Sequence, residues 1–311
     1  MSDARVVYID CSPFMESQLM PEIRAIVPGL AVHVGDPDPA RVLDLLKGAS
    51  GILNGHTVMD ATLLSKLPDL KTIVYLGTGV SNYVDLDAAQ ALGIQVRAIR
   101  NYGDRTIAEH AFALLLAGAR QIAAMDRALR QGRWDALVGV ELKDKTLGVI
   151  GTGGVGSELV RIATNFGMRV VAWNRSGVPS DLPCEAMQID DLLRCADAVS
   201  LHVALTPETD KILDERRLPL MRPGAILVNT GRGNLIDEAA LVQHLKAGRI
   251  GHAALDVFSV EPLSPTSPFV DLPNVTLSAH AAFKTSEAAQ RLVRLGFEMM
   301  RRDLEAYGGA A

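Results

Sequence analysis

The most restrictive stretch of this chain is residues 146–156, TLGVIGTGGVG. An apolar run of strand length enters Gly151-x-Gly153-x-x-Gly156, and a helical pattern follows over residues 157–166, so the glycines stand at a strand-to-helix turn. In such a turn Gly151 permits the tight bend, Gly153 lets a pyrophosphate approach the backbone, and Gly156 allows close helix–strand packing. Phosphates would rest on the helix N-terminus, where amides lack partners and the dipole favours negative charge. A glycine-rich turn alone is weak evidence. Here a second apolar run, residues 169–173, follows where the next strand of a βαβ unit belongs. Gly151, Gly153, Gly154, Val155 and Gly156 are therefore expected to contact a dinucleotide.

The same alternation extends in both directions. Strand-like runs at 6–9, 30–34, 51–53, 72–76 and 94–96 are separated by helix-length segments at 15–26, 39–47, 61–67 and 85–92. A helical stretch at 106–131 interrupts them, and a second series of strands is expected at 146–150, 169–173, 198–201, 225–228, 253–257 and 275–277. This pattern predicts an α/β fold of two doubly wound parallel-sheet domains. Residues 286–307 show helical spacing of Ala289, Leu292, Val293, Leu295, Phe297 and Met300, and are expected to pack back on the first domain. That domain is then residues 1–100 with 284–311, and residues 101–283 form the dinucleotide-binding domain with its hinge helix. Residues 260–273 hold four prolines and no alternating pattern, so they read as a loop.

At 311 residues and 48% apolar content the chain can bury two cores. A net charge of −5 with no basic run excludes an electrostatic footprint for nucleic acid or an anionic membrane. The start, MSDARVVYID, has no signal-peptide pattern, and the most apolar segment, 111–119, is far shorter than the about 20 residues a spanning helix needs. Cys11, Cys184 and Cys195 lack CxxC spacing, so they are expected to be reduced thiols in a cytoplasmic protein without a metal site.

The second strand of the dinucleotide unit ends at Trp173 and is followed by Asn174, Arg175 and Ser176. Dinucleotide sites selective for NAD usually carry a carboxylate near this point, which binds the ribose hydroxyls and repels a 2′-phosphate. Without that repulsion, Arg175 can pair with a 2′-phosphate and Ser176 can hydrogen-bond it, so NADP(H) is expected to be preferred, with NAD(H) possible.

Three polar segments follow later strands: Asn229-Thr230-Gly231-Arg232-Gly233, Asp256 through Pro262, and Ser278 through Phe283. Ligands of open parallel sheets bind beyond the carboxyl ends of strands, which is where Arg232, Glu261 and His280 fall. Arg232 suits a carboxylate and a polarised carbonyl. His280 suits proton exchange with a carbonyl oxygen. Glu261 can accept from the other ring nitrogen, fixing the tautomer and favouring the charged ring. Singly each has an ordinary explanation: a surface ion pair, a turn cap, a satisfied core histidine. Together, behind the glycine motif, they point to reduction of a 2-keto acid.

These segments, with GTGVSNYVDLDAA at 77–89, NYGDRTIAEHAFALLLAGAR at 101–120, LHVALTPET at 201–209 and NTGRGNLIDEAAL at 229–241, resemble the D-isomer-specific 2-hydroxyacid dehydrogenase family over nearly the whole chain. The resemblance implies a Rossmann domain inserted into a flavodoxin-like substrate domain, and a catalytic set of Arg232, Glu261 and His280. It places Asp256 near the nicotinamide carboxamide, Pro207 beside the adenine and Thr106 near the cofactor, with His202 and Thr230 as further cofactor contacts. The amides of Thr78 and Gly79 are implied to hold the substrate carboxylate alongside Arg232 and His280. A D-product and a homodimer built partly through the hinge-helix region are also implied. Many members carry IAG or IGG after the catalytic histidine, whereas this chain has Ala281-Ala282-Phe283-Lys284, which leaves the keto acid open. A formate- or phosphonate-type dehydrogenase on the same scaffold is one alternative; formate oxidation needs no proton on a carbonyl oxygen, which the retained Glu261 and His280 disfavour. A dinucleotide-sensing corepressor is the other.

Overall fold

Parallel pairing throughout dictates a chain that returns over each sheet by a crossover, and every strand pair here is parallel. The computed structural model describes residues 4–308. They fall into two compact units, one comprising the described residues up to Gly103 together with those from Lys284 onward, the other Asp104–Phe283.

The first unit contains strands β1 (Val6–Cys11), β2 (Ala31–Val34), β3 (Gly51–Asn54), β4 (Thr72–Tyr75) and β5 (Gln95–Ala98), in the order β2-β1-β3-β4-β5. This is the flavodoxin-like order. Short helices α1 (Pro13–Ser17), α2 (Pro21–Arg24), α3 (Val42–Leu46), α4 (Ala61–Leu64) and α5 (Leu86–Ala91) connect them. The single helix expected over 15–26 is thus two, because Pro21 opens α2 at a position where it cannot continue α1. The core joins Val7, Ile9, Ile52 and Ile73 from the sheet to Leu46, Leu64 and Ala89 from the helices.

In the second unit, α6 (Asp104–Ala119) and α7 (Ile122–Arg130) lead into β6 (Thr146–Ile150), α8 (Gly154–Phe166), β7 (Arg169–Trp173), β8 (Glu185–Ala186), α9 (Ile189–Cys195), β9 (Ala198–Leu201), β10 (Ile226–Asn229), α10 (Glu238–Lys246), β11 (His252–Leu255) and β12 (Val275–Leu277). Their order is β12-β11-β10-β9-β6-β7-β8. The strand order reverses between β6 and β9, which is the switch point where ligands of such sheets bind. Its two faces bury separate clusters, one around Leu193, Leu227 and Leu241, the other around Leu115, Val149 and Val160.

The helix expected over 106–131 breaks at Gln121, which is left-handed at φ 53°. The cause is tertiary: the chain returns so that the Val140 amide takes the Ala119 carbonyl at 2.8 Å, while the Gln121 side chain donates to the Val138 carbonyl at 2.7 Å. Gly139 permits this, since a Cβ there would lie 2.6 Å from the Ala119 oxygen. The returning segment is exposed, Trp134 and Val138 each at 88%.

The chain's last helix, α11 (Ser286–Gly308), belongs to the first unit. Gly51 makes room for Met300, and Gly296 for Leu76. Its buried Asp303 accepts from Thr72 Oγ1 at 2.9 Å and from Arg97 Nε at 3.0 Å, so a carboxylate within the packed face is paired and satisfied. Among the described residues no helix is long and apolar enough to cross a membrane.

Candidate active site

The glycine turn after β6 owes its shape to atoms that exclude side chains. Gly151 has φ +101°, and a Cβ there would stand 2.5 Å from the His202 carbonyl oxygen; one on Gly156 would stand 1.9 Å from the Gly151 oxygen. Together they press α8 onto β6 and β9. Gly153 differs, because its missing Cβ faces open space, and the exposed backbone there is approachable by a phosphate. A Cβ on Gly154 would collide with the Asp104 carboxylate, so the starts of α6 and α8 lie together, with Val155 half-buried beside them. Thr152 Oγ1 and Thr230 Oγ1 are buried without a hydrogen-bond partner. Two orphaned hydroxyls and an open glycine backbone at the ends of β6 and β10 fit a polar cofactor laid across the switch point.

Beyond β7, Asn174 is occupied in shaping its own turn. Its Oδ1 accepts from Thr152 N at 3.3 Å, and its Nδ2 donates to Ser176 Oγ at 2.9 Å and to the Gly177 carbonyl at 3.0 Å. Arg175 is exposed, and its charge reaches Glu208, whose carboxyl is held below the usual range first by the Thr206 hydroxyl. Pro207, beside Glu208, is exposed. His202 pairs Nε2 with Ser200 Oγ at 2.8 Å, and burial pushes its ring down to about 4, so it is neutral. Thr106 is almost buried on α6.

The next two strand ends are welded together by backbone. Buried Asn229 donates to the Arg232 carbonyl at 2.9 Å and accepts from Gly231 N at 3.0 Å, closing the turn after β10. A Cβ on Gly233 would lie 1.9 Å from the Phe258 carbonyl carbon, so this turn packs directly on the segment after β11. Arg232, half-buried, uses Nη1 on the Gly231 carbonyl at 2.7 Å and retains other donors. From the β11 segment, Glu261 Oε1 accepts from Phe258 N at 2.9 Å and Oε2 meets His280 Nδ1 at 2.6 Å. An ionised carboxylate only accepts, so Nδ1 carries the proton and Nε2 is the nitrogen left for chemistry.

Asp256, expected beside the nicotinamide carboxamide, directly follows β11. It is 0% exposed, and its carboxylate accepts from Ser278 Oγ at 2.6 Å, Ala281 N at 2.9 Å and Ala282 N at 3.0 Å. Burial works against the charged form, yet bonds from His110, Ser278, Ala281 and Ala282 hold its pKa below the ordinary value. A carboxylate with no exposed surface thus organises the loop around it.

In the first unit, Thr78 and Gly79 follow β4, Thr78 exposed and Gly79 half-buried, and neither amide has a backbone acceptor among the described residues. The neighbouring turn after β3 is clamped by buried Asp10, which accepts from the amides of Gly55, His56 and Thr57 at 2.7, 2.6 and 2.7 Å. Phe283 is half-buried in the second unit and Lys284 is exposed. Among the described residues, no group of three or more His, Cys, Asp or Glu is arranged to hold a metal.

Asn229, Gly233 and Ser278 stand in the polar segments after the strands without a role of their own expected for them, and Asp10 and His110 had none. An Asn closing a strand before Thr-Gly-Arg-Gly was a readable turn signal; the others act through distant partners.

Neutral buried histidines carry a stability consequence. His252, 4% exposed and bonded to Thr276 Oγ1 at 2.9 Å, is pushed by burial to about 4. An unfolded chain protonates that ring near its ordinary value, so between about 6.5 and 4 the unfolded state binds more protons and stability falls as pH falls. A loss of roughly 2 kcal/mol from His252 is expected at pH 5 relative to pH 7. Urea midpoints at the two pH values, compared with those of His252→Gln, measure it; equal pH dependence in both chains would contradict the assignment.

The profile of the D-isomer specific 2-hydroxyacid dehydrogenase NAD-binding domain matches residues 112–282. A glyoxylate reductase of Aeropyrum pernix is 40% identical over 252 residues, 77% of this chain and 75% of that one. A hydroxypyruvate reductase of Thermotoga maritima is 36% identical over 263 residues, 83% and 84% of the two chains. The chain spans about half the length of the D-3-phosphoglycerate dehydrogenases that it also matches. Among solved structures, an acyclic imino acid reductase in complex with NADPH and D-Arg superposes with a TM-score of 0.85 at 30% identity, covering 98% of this chain and 97% of that one. With that glycine turn, those orphaned hydroxyls and these relatives, the chain belongs to the D-isomer specific 2-hydroxyacid dehydrogenase family and is an oxidoreductase that uses a nicotinamide dinucleotide.

Proposed function

We propose that this protein reduces a small 2-keto acid, of the size of glyoxylate or hydroxypyruvate, to its D-2-hydroxy acid, with NADPH preferred over NADH. The observation that carries the reading is the 2.6 Å contact of His280 Nδ1 with Glu261, which presents a histidine oriented for proton exchange beyond a dinucleotide turn of the same sheet. The relatives named glyoxylate and hydroxypyruvate reductase support the substrate class.

The residues that would hold the cofactor are the turn of Gly151, Gly153, Gly154, Val155 and Gly156, with Thr106, His202, Pro207 and Thr230 around it. When bound, the cofactor supplies the hydride. Arg232 binds the substrate carboxylate and polarises the C2 carbonyl. In the reductive direction His280 starts with a proton on both ring nitrogens: Nε2 gives its proton to the carbonyl oxygen, Nδ1 keeps the proton that Glu261 accepts, and the neutral ring left behind takes the proton back at Nε2 in the reverse direction. The free amides of Thr78 and Gly79 suit a carboxylate.

For the cofactor preference, no carboxylate stands at position 174, and Arg175 and Ser176 are exposed at the end of β7. The expected result is a kcat/KM at least several-fold higher with NADPH than with NADH, which falls on Arg175→Ala. A strong NADH preference contradicts it.

A soluble cytoplasmic homodimer is part of the same proposal. Ile122 and Leu129 on α7, with Trp134 and Val138 beyond it, are exposed apolar side chains on one continuous segment, and a second copy of the chain is the partner proposed for them. Light scattering is expected to give twice the chain mass, and the mass of a single chain for the Trp134→Glu/Val138→Glu variant. A wild-type mass of one chain would refute the dimer.

A further inference from the structure

The loop that carries His280 is anchored to a second histidine that the proposed chemistry does not touch. His280 is left-handed at φ 47°, a conformation costly for a residue with a Cβ, so surrounding bonds must hold it there. Those bonds converge on Asp256. Its carbonyl accepts from His280 N at 2.8 Å, its Oδ1 accepts from Ala281 N at 2.9 Å and Ser278 Oγ at 2.6 Å, and its Oδ2 accepts from Ala282 N at 3.0 Å.

The direction of the remaining bond follows by counting protons. Fully buried Asp256 is ionised and only accepts, so the single hydroxyl proton of Ser278 goes to it. His110 Nε2 lies 3.1 Å from Ser278 Oγ and 3.4 Å from Asp256 Oδ1. With the serine proton spent, Nε2 must bear a hydrogen and donate it to Ser278. A directed chain therefore runs from His110 on α6 through Ser278 to Asp256, which gathers the amides on either side of the proton donor.

We propose that His110 is a positioning residue for the His280 loop, acting as the terminal donor of this chain; the proposal rests on the reading of His280 as acid–base group. Without the donor, Ser278 Oγ loses a partner and the buried carboxylate loses a nearby N–H. Ala281 and Ala282 are then held less firmly, and the left-handed turn at His280 relaxes. The loss falls on turnover, because the acid–base group is misplaced, while cofactor affinity is set elsewhere, at the glycine turn after β6.

The test compares His110→Leu, which removes the donor, with His110→Gln, whose amide nitrogen can donate from nearly the same point. Readouts are kcat at saturating keto acid and cofactor, the cofactor Kd by fluorescence titration, and hydrogen exchange of the peptide spanning residues 278–283. His110→Leu is expected to lower kcat by about tenfold or more, since small misplacements of a catalytic group are costly, and to speed exchange in that peptide with Kd within about twofold. His110→Gln is expected to stay within about threefold of wild type in kcat. The proposal is overturned if His110→Leu turns over as fast as wild type per folded molecule, or if His110→Gln loses as much. Should His110→Leu not fold, Ser278→Ala breaks the same chain: lost kcat with intact cofactor binding supports the proposal, and wild-type kcat overturns it. If the wild type reduces no keto acid, the functional reading fails by itself, and the exchange rates still decide whether His110 holds the loop.

Discussion

His280→Ala is expected to lower kcat for keto-acid reduction by about 10²–10⁴-fold, with the cofactor Kd changed by less than about threefold. The split follows from placement. His280 follows β12 on a loop held by Asp256, whereas the glycine turn follows β6, so removing the imidazole deletes the proton source and leaves the dinucleotide cradle whole. Glu261→Gln is the informative companion. It keeps the shape of the contact at Nδ1 but lets that position donate, so the ring loses its fixed tautomer and turnover falls with KM for the cofactor unchanged. Near-normal turnover of His280→Ala would remove the assigned proton donor.

Gly156→Ala is expected to weaken cofactor binding by about tenfold or more, because overpacking a tight contact costs about 1–3 kcal/mol and each 1.4 kcal/mol is tenfold. A methyl at this position would stand 1.9 Å from the Gly151 oxygen and 3.4 Å from His202 Cβ, and neither β6 nor β9 can retreat within a seven-stranded sheet. The helix must therefore lift, carrying its N-terminal amides away from the phosphates. Gly153→Ala is the control, since nothing lies within 4 Å of its missing Cβ. Its loss is expected to appear in cofactor affinity alone, with thermal stability retained. Equal cofactor affinity in Gly156→Ala and wild type, measured by titration of the reduced cofactor's fluorescence, would contradict this account of the turn.

What the sequence alone discloses follows the range of the forces involved. Strands β6, β7, β9 and β12 coincide with the expected runs because buried β-branched stretches between polar ends specify themselves locally. Local chemistry also explains why 15–26 is divided: Pro21 was in plain view and outweighs the apolar spacing. The break at Gln121 was not readable, since its cause is an amide 21 residues beyond the broken helix end, Val140 on Ala119. Strand β8, only Glu185–Ala186, sits at the sheet edge with no pattern of its own. Arg232, Glu261 and His280 were legible as residues just past strand ends. The supports around them were not, because Gly233 matters only through the Phe258 backbone, and Asp256 only through the amides of Ala281 and Ala282.

The central claim is that this chain moves a hydride between a nicotinamide and C2 of a small 2-keto acid, with His280 supplying the proton. Its most direct test is incubation with NADPH deuterated at the transferable position and each of glyoxylate, hydroxypyruvate and pyruvate, followed by analysis of the product acid. The account predicts cofactor oxidation with at least one of them, one deuterium at C2 of the hydroxy acid, the D-configuration where C2 becomes a stereocentre by carbon substitution, and loss of the reaction in His280→Ala. Oxidation of neither NADPH nor NADH by any of the three acids, or a product without deuterium at C2, would contradict it.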